Sequence, residues 1–244
     1  MASLQSKDIP QDKMEEMGVR LASRMLELQG VDNLQLISHY SYAMQLKYHS
    51  YLISIIPAAD TEFKNNSQQI SRWAHKLQEI LADHSLSLAE SFAKAKYFLE
   101  ELFFSCTEKG TLHYTYHMNA LLNSADLQKE LGISRATVSR YVKLGMEATA
   151  ATGHHRYPIH NIFYWKNGVW ASKVQALQER YRIRNRTKEQ LILELQEEVQ
   201  SFESAYNSTF QEIFGDIKDP YALTEPDDYF NWRNAIEEME KTND

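Results

Sequence analysis

Arg135, Arg140 and Lys143 fall within nine consecutive positions, interleaved with Ser134, Ala136, Thr137 and Ser139 and with no acid among them. Guanidinium and ammonium groups meet phosphate oxygens, and a guanidinium can also make paired hydrogen bonds to a guanine edge. Small side chains between them let a backbone come close to a groove. His154, His155 and Arg156 form a second cationic group shortly after. The chemistry these residues suit is contact with double-stranded DNA, so the candidate contacts are Ser134, Arg135, Ala136, Thr137, Ser139, Arg140, Lys143, His154, His155 and Arg156. Catalytic patterns are not found. The chain lacks a glycine-rich phosphate loop, paired cysteines for zinc and a nucleophile in a recognisable setting. The expectation is therefore no enzyme, no cofactor and no metal.

The elements that position these residues follow from the letters between Leu121 and Gly145. Ser124 is expected to cap a first helix, with Leu127 and Leu131 four apart on its inner face. Gly132 stands where the chain must turn sharply, a place that often needs positive φ. Ile133 plugs the corner and Ser134 caps a second helix. Val138, Tyr141 and Val142 point inward, which turns Arg135, Ala136, Thr137 and Arg140 outward. Met146 to Thr149 is expected as a strand, Ala150 to Gly153 as a turn and His155 to Pro158 as a returning strand. A basic hairpin beside such a helix suits a minor groove or flanking phosphates. Two short helices around a glycine also occur in ordinary helical domains; the acid-free cationic face and the hairpin favour DNA.

The run Arg140-Tyr141-Val142-Lys143-Leu144-Gly145-Met146, followed by Arg156-Tyr157, resembles the winged helix-turn-helix of the MerR and excisionase families. It is also similar to the DNA-binding end of some phage small terminase subunits. The resemblance covers residues 121 to about 168. It implies DNA contact by Arg135, Thr137 and Arg140 in the second helix and by Arg156 in the wing. In MerR-type regulators the module opens the chain, whereas about 110 residues precede it here.

Charge is distributed unevenly. The whole chain of 244 residues carries −7. Residues 111–186 hold eleven Lys and Arg against four Asp and Glu, a balance of +7 that coincides with the helix-turn-helix and the helix after it. Residues 187–244 hold four against fifteen, or −11, and residues 1–110 eleven against fourteen, or −3. Phosphate binding responds to local potential, so an acidic protein can still hold DNA on a basic face. The acidic end limits non-specific DNA binding or offers a surface to a protein partner. The single cysteine, Cys106, allows no internal disulfide and reads as a core residue, which fits a reducing cytoplasm. No apolar run approaches the roughly 20 residues of a membrane span, and the first residues lack the apolar core of a signal peptide. The expected location is cytoplasmic, with no membrane partner.

The expected fold class is mainly α. Residues 1–110 form an N-terminal helical bundle, for dimerisation or effector binding, and residues 111–168 the winged helix-turn-helix with its small β-hairpin. Residues 169–215 form long helices, a coiled-coil or dimerisation arm, and 216–244 an acidic tail with a short helix. Residues 11–110 read as helix throughout: Asp12 to Leu28, ended by Gly30; Asp32 or Asn33 to Ile56, stopped by Pro57; Thr61 to Leu81; and Ser87 to Thr107. Leu112 to Met118 alternates in character and reads as a strand, so His113 and His117 are surface or packing residues rather than metal ligands. Val169 to Arg184 turns Val174, Leu177 and Tyr181 to one face. Its closing row Arg180, Arg182, Arg184 and Arg186 either touches DNA backbone or favours the helix dipole. Thr187 to Gln190 is a capping box opening a helix that runs to about Gly215, and Tyr229 to Lys241 forms a last helix.

The functional expectation is a sequence-specific double-stranded DNA-binding protein, a transcriptional regulator of bacterial or mobile-element type acting as a homodimer. A DNA partition, replication or genome-packaging assembly protein, built as a higher homo-oligomer, is the alternative.

Overall fold

The computed structural model describes residues 10–25, 31–65, 70–151 and 154–243. The fold is mainly α, with small antiparallel sheets. The chain divides into two compact units, Met1–Arg184 and Asn185–Asp244.

In the first unit, helices α1 (Gln11–Met25), α2 (Asn33–Lys47), α3 (Ile70–Ala82) and α4 (Leu88–Cys106) pack in two pairs, α1 on α2 and α3 on α4. Asp32 caps α2 by accepting from the Gln35 N–H at 2.7 Å, and Ser87 caps α4 by accepting from Glu90 at 3.3 Å. Lys47 is buried because its ammonium donates to the Ile80 and Leu81 carbonyls, 3.2 and 2.6 Å away, at the end of α3. Those carbonyls have no partner within their own helix. Ile37, Tyr40, Met44, Leu77, Phe92, Leu99 and Phe103 are fully enclosed between the helices.

Helix does not run through the whole of this region. The second helix was expected to reach Ile56 but stops at Lys47, and Leu52–Pro57 is strand β1. Leu-Ile-Ser-Ile-Ile is rich in β-branched residues, and a partner strand lies ready in β4 (Leu112–Tyr116), to which β1 pairs antiparallel with Ile55 opposite Tyr114. The helix expected from Thr61 begins instead at Ile70, because Glu62–Phe63 (β2) pairs with Thr107–Lys109 (β3). Residues 66–69, and Leu28 and Gly30 at the end of the first helix, lie outside the described residues.

After β4 come β5 (Leu121–Leu122), α5 (Ser124–Leu131), α6 (Arg135–Lys143), β6 (Thr149–Ala151) and β7 (His154–Pro158). The last strand is central in a three-stranded sheet of order β5-β7-β6. Helices α7 (His160–Lys166) and α8 (Gly168–Asn185) follow. No helix is expected at 160–166 from the sequence, yet Tyr164 and Trp165 of α7 are buried and α7 packs against both α4 and α5. The segments expected as a separate bundle and a separate winged domain share one core, continuous from Ala22 through Phe92, Leu127 and Val138 to Tyr181. The Tyr164 hydroxyl fixes this union by donating to the Ala93 carbonyl at 2.5 Å.

The second unit is a helical hairpin. Helix α9 (Lys188–Tyr206) opens with the expected capping box, Thr187 and Gln190 each bonding the other's backbone. The run expected to reach Gly215 breaks at Asn207, which takes a left-handed conformation (φ 50°), and a second capping box at Thr209 and Glu212 starts α10 (Phe210–Phe214). Helix α11 (Pro226–Asn243) is longer than the expected Tyr229 to Lys241. Phe202, Tyr206 and Phe210 close around Trp232, which is fully buried, so that part of the expected coiled-coil seam is occupied by α11 of the same chain. Among the described residues no helix is long and apolar enough to cross a membrane.

Candidate nucleic-acid interface

Asn123, not Ser124, caps α5: its Oδ1 accepts from the Asp126 N–H at 2.9 Å. Ser124 becomes the first helical residue and accepts from the Gln128 amide through both its carbonyl and hydroxyl oxygens. Leu127 is fully buried. Gly132 ends the helix with φ 66°, ψ 35°, and the Ile133 N–H reaches back to the Gln128 carbonyl at 3.1 Å. Ser134 then caps α6, accepting from the Thr137 N–H at 3.2 Å.

Within α6, Val138 is buried and Tyr141 and Val142 are half-buried, as the periodicity expects. Tyr141 stacks on Trp165 of α7 with ring centroids 4.3 Å apart, which sets the roll of α6 on the body. The opposite face is therefore fixed in space. Arg135, Ala136, Ser139, Arg140 and Lys143 are all exposed on it, at spacings of three and four that share one side of a helix. Thr137 is half-buried, and its hydroxyl is shared with Ser134 at 3.0 Å; Ser139 donates back to the Arg135 carbonyl at 3.3 Å. These hydroxyls are held by the helix itself, and the cations are not. Among the described residues Arg135, Arg140, Lys143 and Lys129 of α5 have no ion pair; the Arg140 guanidinium lies 5.8 Å from the Tyr141 ring.

The row after this region is used differently. Arg180 binds Glu101 at 2.7 Å, Arg182 binds Glu179 at 2.8 Å and Arg186 binds Glu194 at 3.1 Å. Arg184 donates to the carbonyls of Phe104, Thr107 and Gly110 at 2.9 to 3.1 Å. It ties α8 to the end of α4. Arg184 therefore braces the fold, while the Arg182–Glu179 pair lies at the surface with both side chains about half exposed.

The hairpin begins later than expected. Its first strand is Thr149–Ala151 rather than Met146 to Thr149, because Met146 is buried beneath the end of α6, where its N–H bonds the Tyr141 carbonyl at 2.8 Å. Thr149 pairs with Arg156, and Ala150 with His155. His155 is exposed. Arg156 is half-buried, with its Nε enclosed and without a partner among the described residues. The expected tip at 152–153 and the side chain of His154 lie outside the described residues.

One cluster had no motif to announce it. Lys96 and Glu100 sit one turn apart on α4; Glu147 follows α6 and His160 opens α7. The Lys96 ammonium lies 3.3 Å from Glu100 and 3.5 Å from Glu147. Tyr116 donates to Glu147 at 2.8 Å, and His160 Nε2 stands 2.9 Å from the other Glu147 oxygen, off the line of a good hydrogen bond. Burial alone raises a carboxyl's pKa, but Lys96, His160 and Tyr116 outweigh it and hold Glu147 down at about 2. Burial pushes His160 below the usual imidazole value even though Glu147 opposes it. Only the i, i+4 spacing of Lys96 and Glu100 hinted at this in the sequence; the rest is brought together by tertiary packing. His113 and His117 are exposed and, among the described residues, no cluster of His, Cys, Asp and Glu could hold a metal. Cys106 is fully buried, and burial pushes its thiol up to about 12, so it is not a ready nucleophile.

No protein-family model, curated protein or solved structure matches this chain.

Proposed function

We propose that the protein binds double-stranded DNA sequence-specifically, as a transcriptional regulator of bacterial or mobile-element type, with α6 entering the major groove and the β6-β7 hairpin lying on flanking backbone. The observation that carries this reading is the outward face of α6. Arg135, Arg140 and Lys143 are exposed there without ion pairs among the described residues, while the arginines of α8 are engaged in the protein's own contacts. Arg135 lies at the N-terminal end of the helix, the end that meets base edges in such docking. Ala136 beside it leaves room for close approach. The resemblance to MerR and excisionase modules rests on this same segment and supports the same contacts.

A homodimer on a symmetric site is the assembly this reading calls for. Strand β1 supports self-association: among the described residues only β4 pairs with it, and Ile53 and Ile56 are each more than half exposed. An exposed apolar edge of this kind is a surface that another chain can cover. The same edge is what favours the second reading, an assembly protein for partition, replication or packaging.

Selection of bound sequences from random duplex DNA, read with the mass of the complex, tests both. A defined symmetric motif held by two chains supports the regulator. A ring, filament or spreading complex supports assembly. Failure to retain any duplex at low salt overturns DNA binding altogether.

A further inference from the structure

A cavity of about 390 Å³ lies inside the first unit, bounded by α4, β4, α7, α8 and the chain leaving α6. Its size is at the lower end of small-molecule sites. Lys96, Glu100, Tyr114, Glu147 and His160 line it. The charges in that wall do not balance. Lys96 is the one cation among the lining residues and is already saturated, lying against both carboxylates and 3.3 Å from the centre of the Tyr114 ring. Two carboxylates against one ammonium leave one negative charge, since burial keeps His160 neutral. Glu100 takes Lys96 through Oε1, and the Glu147 oxygen that faces His160 is enclosed without a hydrogen-bond partner among the described residues.

Two further polar groups are in the same condition. His160 is 1% exposed, and among the described residues its Nδ1 and the enclosed Tyr114 hydroxyl have no partner. Buried polar atoms left unmatched carry a cost that a ligand can relieve. Other tyrosines of the wall have their hydroxyls engaged: Tyr97 donates to Glu101, Tyr164 to Ala93 and Tyr181 to Glu100. What they leave for an occupant is ring surface, which favours a cation.

We propose that this cavity binds a small organic amine carrying one positive charge, its ammonium held by Glu100 and Glu147 among the tyrosine rings and its polar end met by Tyr114 and His160. An anion is disfavoured because Lys96 has no free side to offer. A metal ion is not the occupant this wall fits, because among the described residues no cluster of His, Cys, Asp and Glu could hold one and the Lys96 ammonium already lies between the two carboxylates.

Calorimetric titration of the full chain, without DNA, with tyramine, histamine and phenethylamine tests this, using 4-hydroxyphenylacetate as the anion of matched shape. Because no duplex is present, its failure is distinct from failure of the DNA reading. Saturable one-site binding of at least one amine is expected, with no binding of the acid. Glu100→Gln is expected to weaken the amine roughly tenfold, the scale of one partly buried ion pair. Tyr114→Phe, which keeps the ring, is expected to weaken a hydroxyl-bearing or ring-nitrogen amine a few-fold and decides the matter if Glu100→Gln does not fold. Absence of saturable binding by all three amines, equal binding of the acid, or affinity unchanged in the folded variants overturns the proposal.

Discussion

Arg135 and Arg184 are the same side chain put to opposite uses. Arg184 donates to three carbonyls of the α4-β3 corner, and Arg135 stands in solvent with no protein partner among the described residues. Replacing them should separate binding from stability. Arg135→Ala is expected to cost about 1–3 kcal/mol in DNA affinity and relax preference at one base position, leaving the melting temperature unchanged. Equal loss on every sequence would reduce Arg135 to a phosphate contact. Arg184→Ala is expected to lower thermal stability by about 1–3 kcal/mol, because three partly buried carbonyls lose this donor. The pair Glu147 and His160 sets a dependence on acid. His160 has its pKa lowered, so folding favours the neutral ring; that stability is complete above the ordinary imidazole value near 6.5 and is lost as pH falls from there toward the lowered one. Glu147, held at about 2, adds a second loss between its ordinary value near 4.5 and about 2. Lys96 faces both groups and acts on both steps, Glu100 acts on that of His160 and Tyr116 on that of Glu147. Melting temperature followed against pH should fall first below about 6.5, and His160→Phe should flatten that first step. At this scale the outward face of α6 was legible in the sequence, since a helix of known phase fixes which residues point away. The cluster around Glu147 was not legible beyond the i, i+4 spacing of Lys96 and Glu100: Tyr116, Glu147 and His160 come from three other segments, which only tertiary packing brings to α4.

Two glycines bracket α6 and should respond unequally. At Gly132 a Cβ would meet nothing within 4 Å, so Gly132→Ala carries only the left-handed backbone, about 1–2 kcal/mol. Gly145 has φ 103°, and a Cβ there would come within 3 Å of the Gln178 side chain in α8. Gly145→Ala should therefore be the more destabilising in chemical denaturation, and comparable midpoints for the two variants would count against this account. The capped elements were the readable ones. Gly132, Ser134 and the Thr187 capping box declare themselves through short-range hydrogen bonds that need no distant partner. Strand β1 was misread as helix because its identity depends on β4, some sixty residues later, and on the ladder only that strand can supply. Helix α7 was missed for a related reason. His160–Lys166 is too short to show a period, and it is held by the burial of Tyr164 and Trp165 against other segments.

Across the whole molecule, charge divides along the same line as structure. Up to Arg184 the chain has twenty-one Lys and Arg against eighteen Asp and Glu, or +3; from Asn185 onward it has five against fifteen, or −10. A chain ending at Arg184 should bind random duplex more tightly than the full protein at low salt, with the slope of log affinity against log salt unchanged if the second unit makes no phosphate contacts. No difference in affinity would assign the acidic unit to another partner. The change of charge at 186–187 lies close to this division, whereas the domain boundaries expected at 110 and 168 both fall inside the first unit. Helix α4 and β4 contribute apolar residues to a core that continues into α5, α6 and α7, and a boundary falls only where such contacts cease. The tryptophans respect the same division. Trp73, Trp165 and Trp170 belong to the first unit, and Trp232, stacked on Phe202, is alone in the second. Trp232→Phe therefore leaves a chain whose indole fluorescence comes from the first unit only. Subtracting its emission from that of the parent gives an optical signal of the second unit, so the two melts can be told apart without a label.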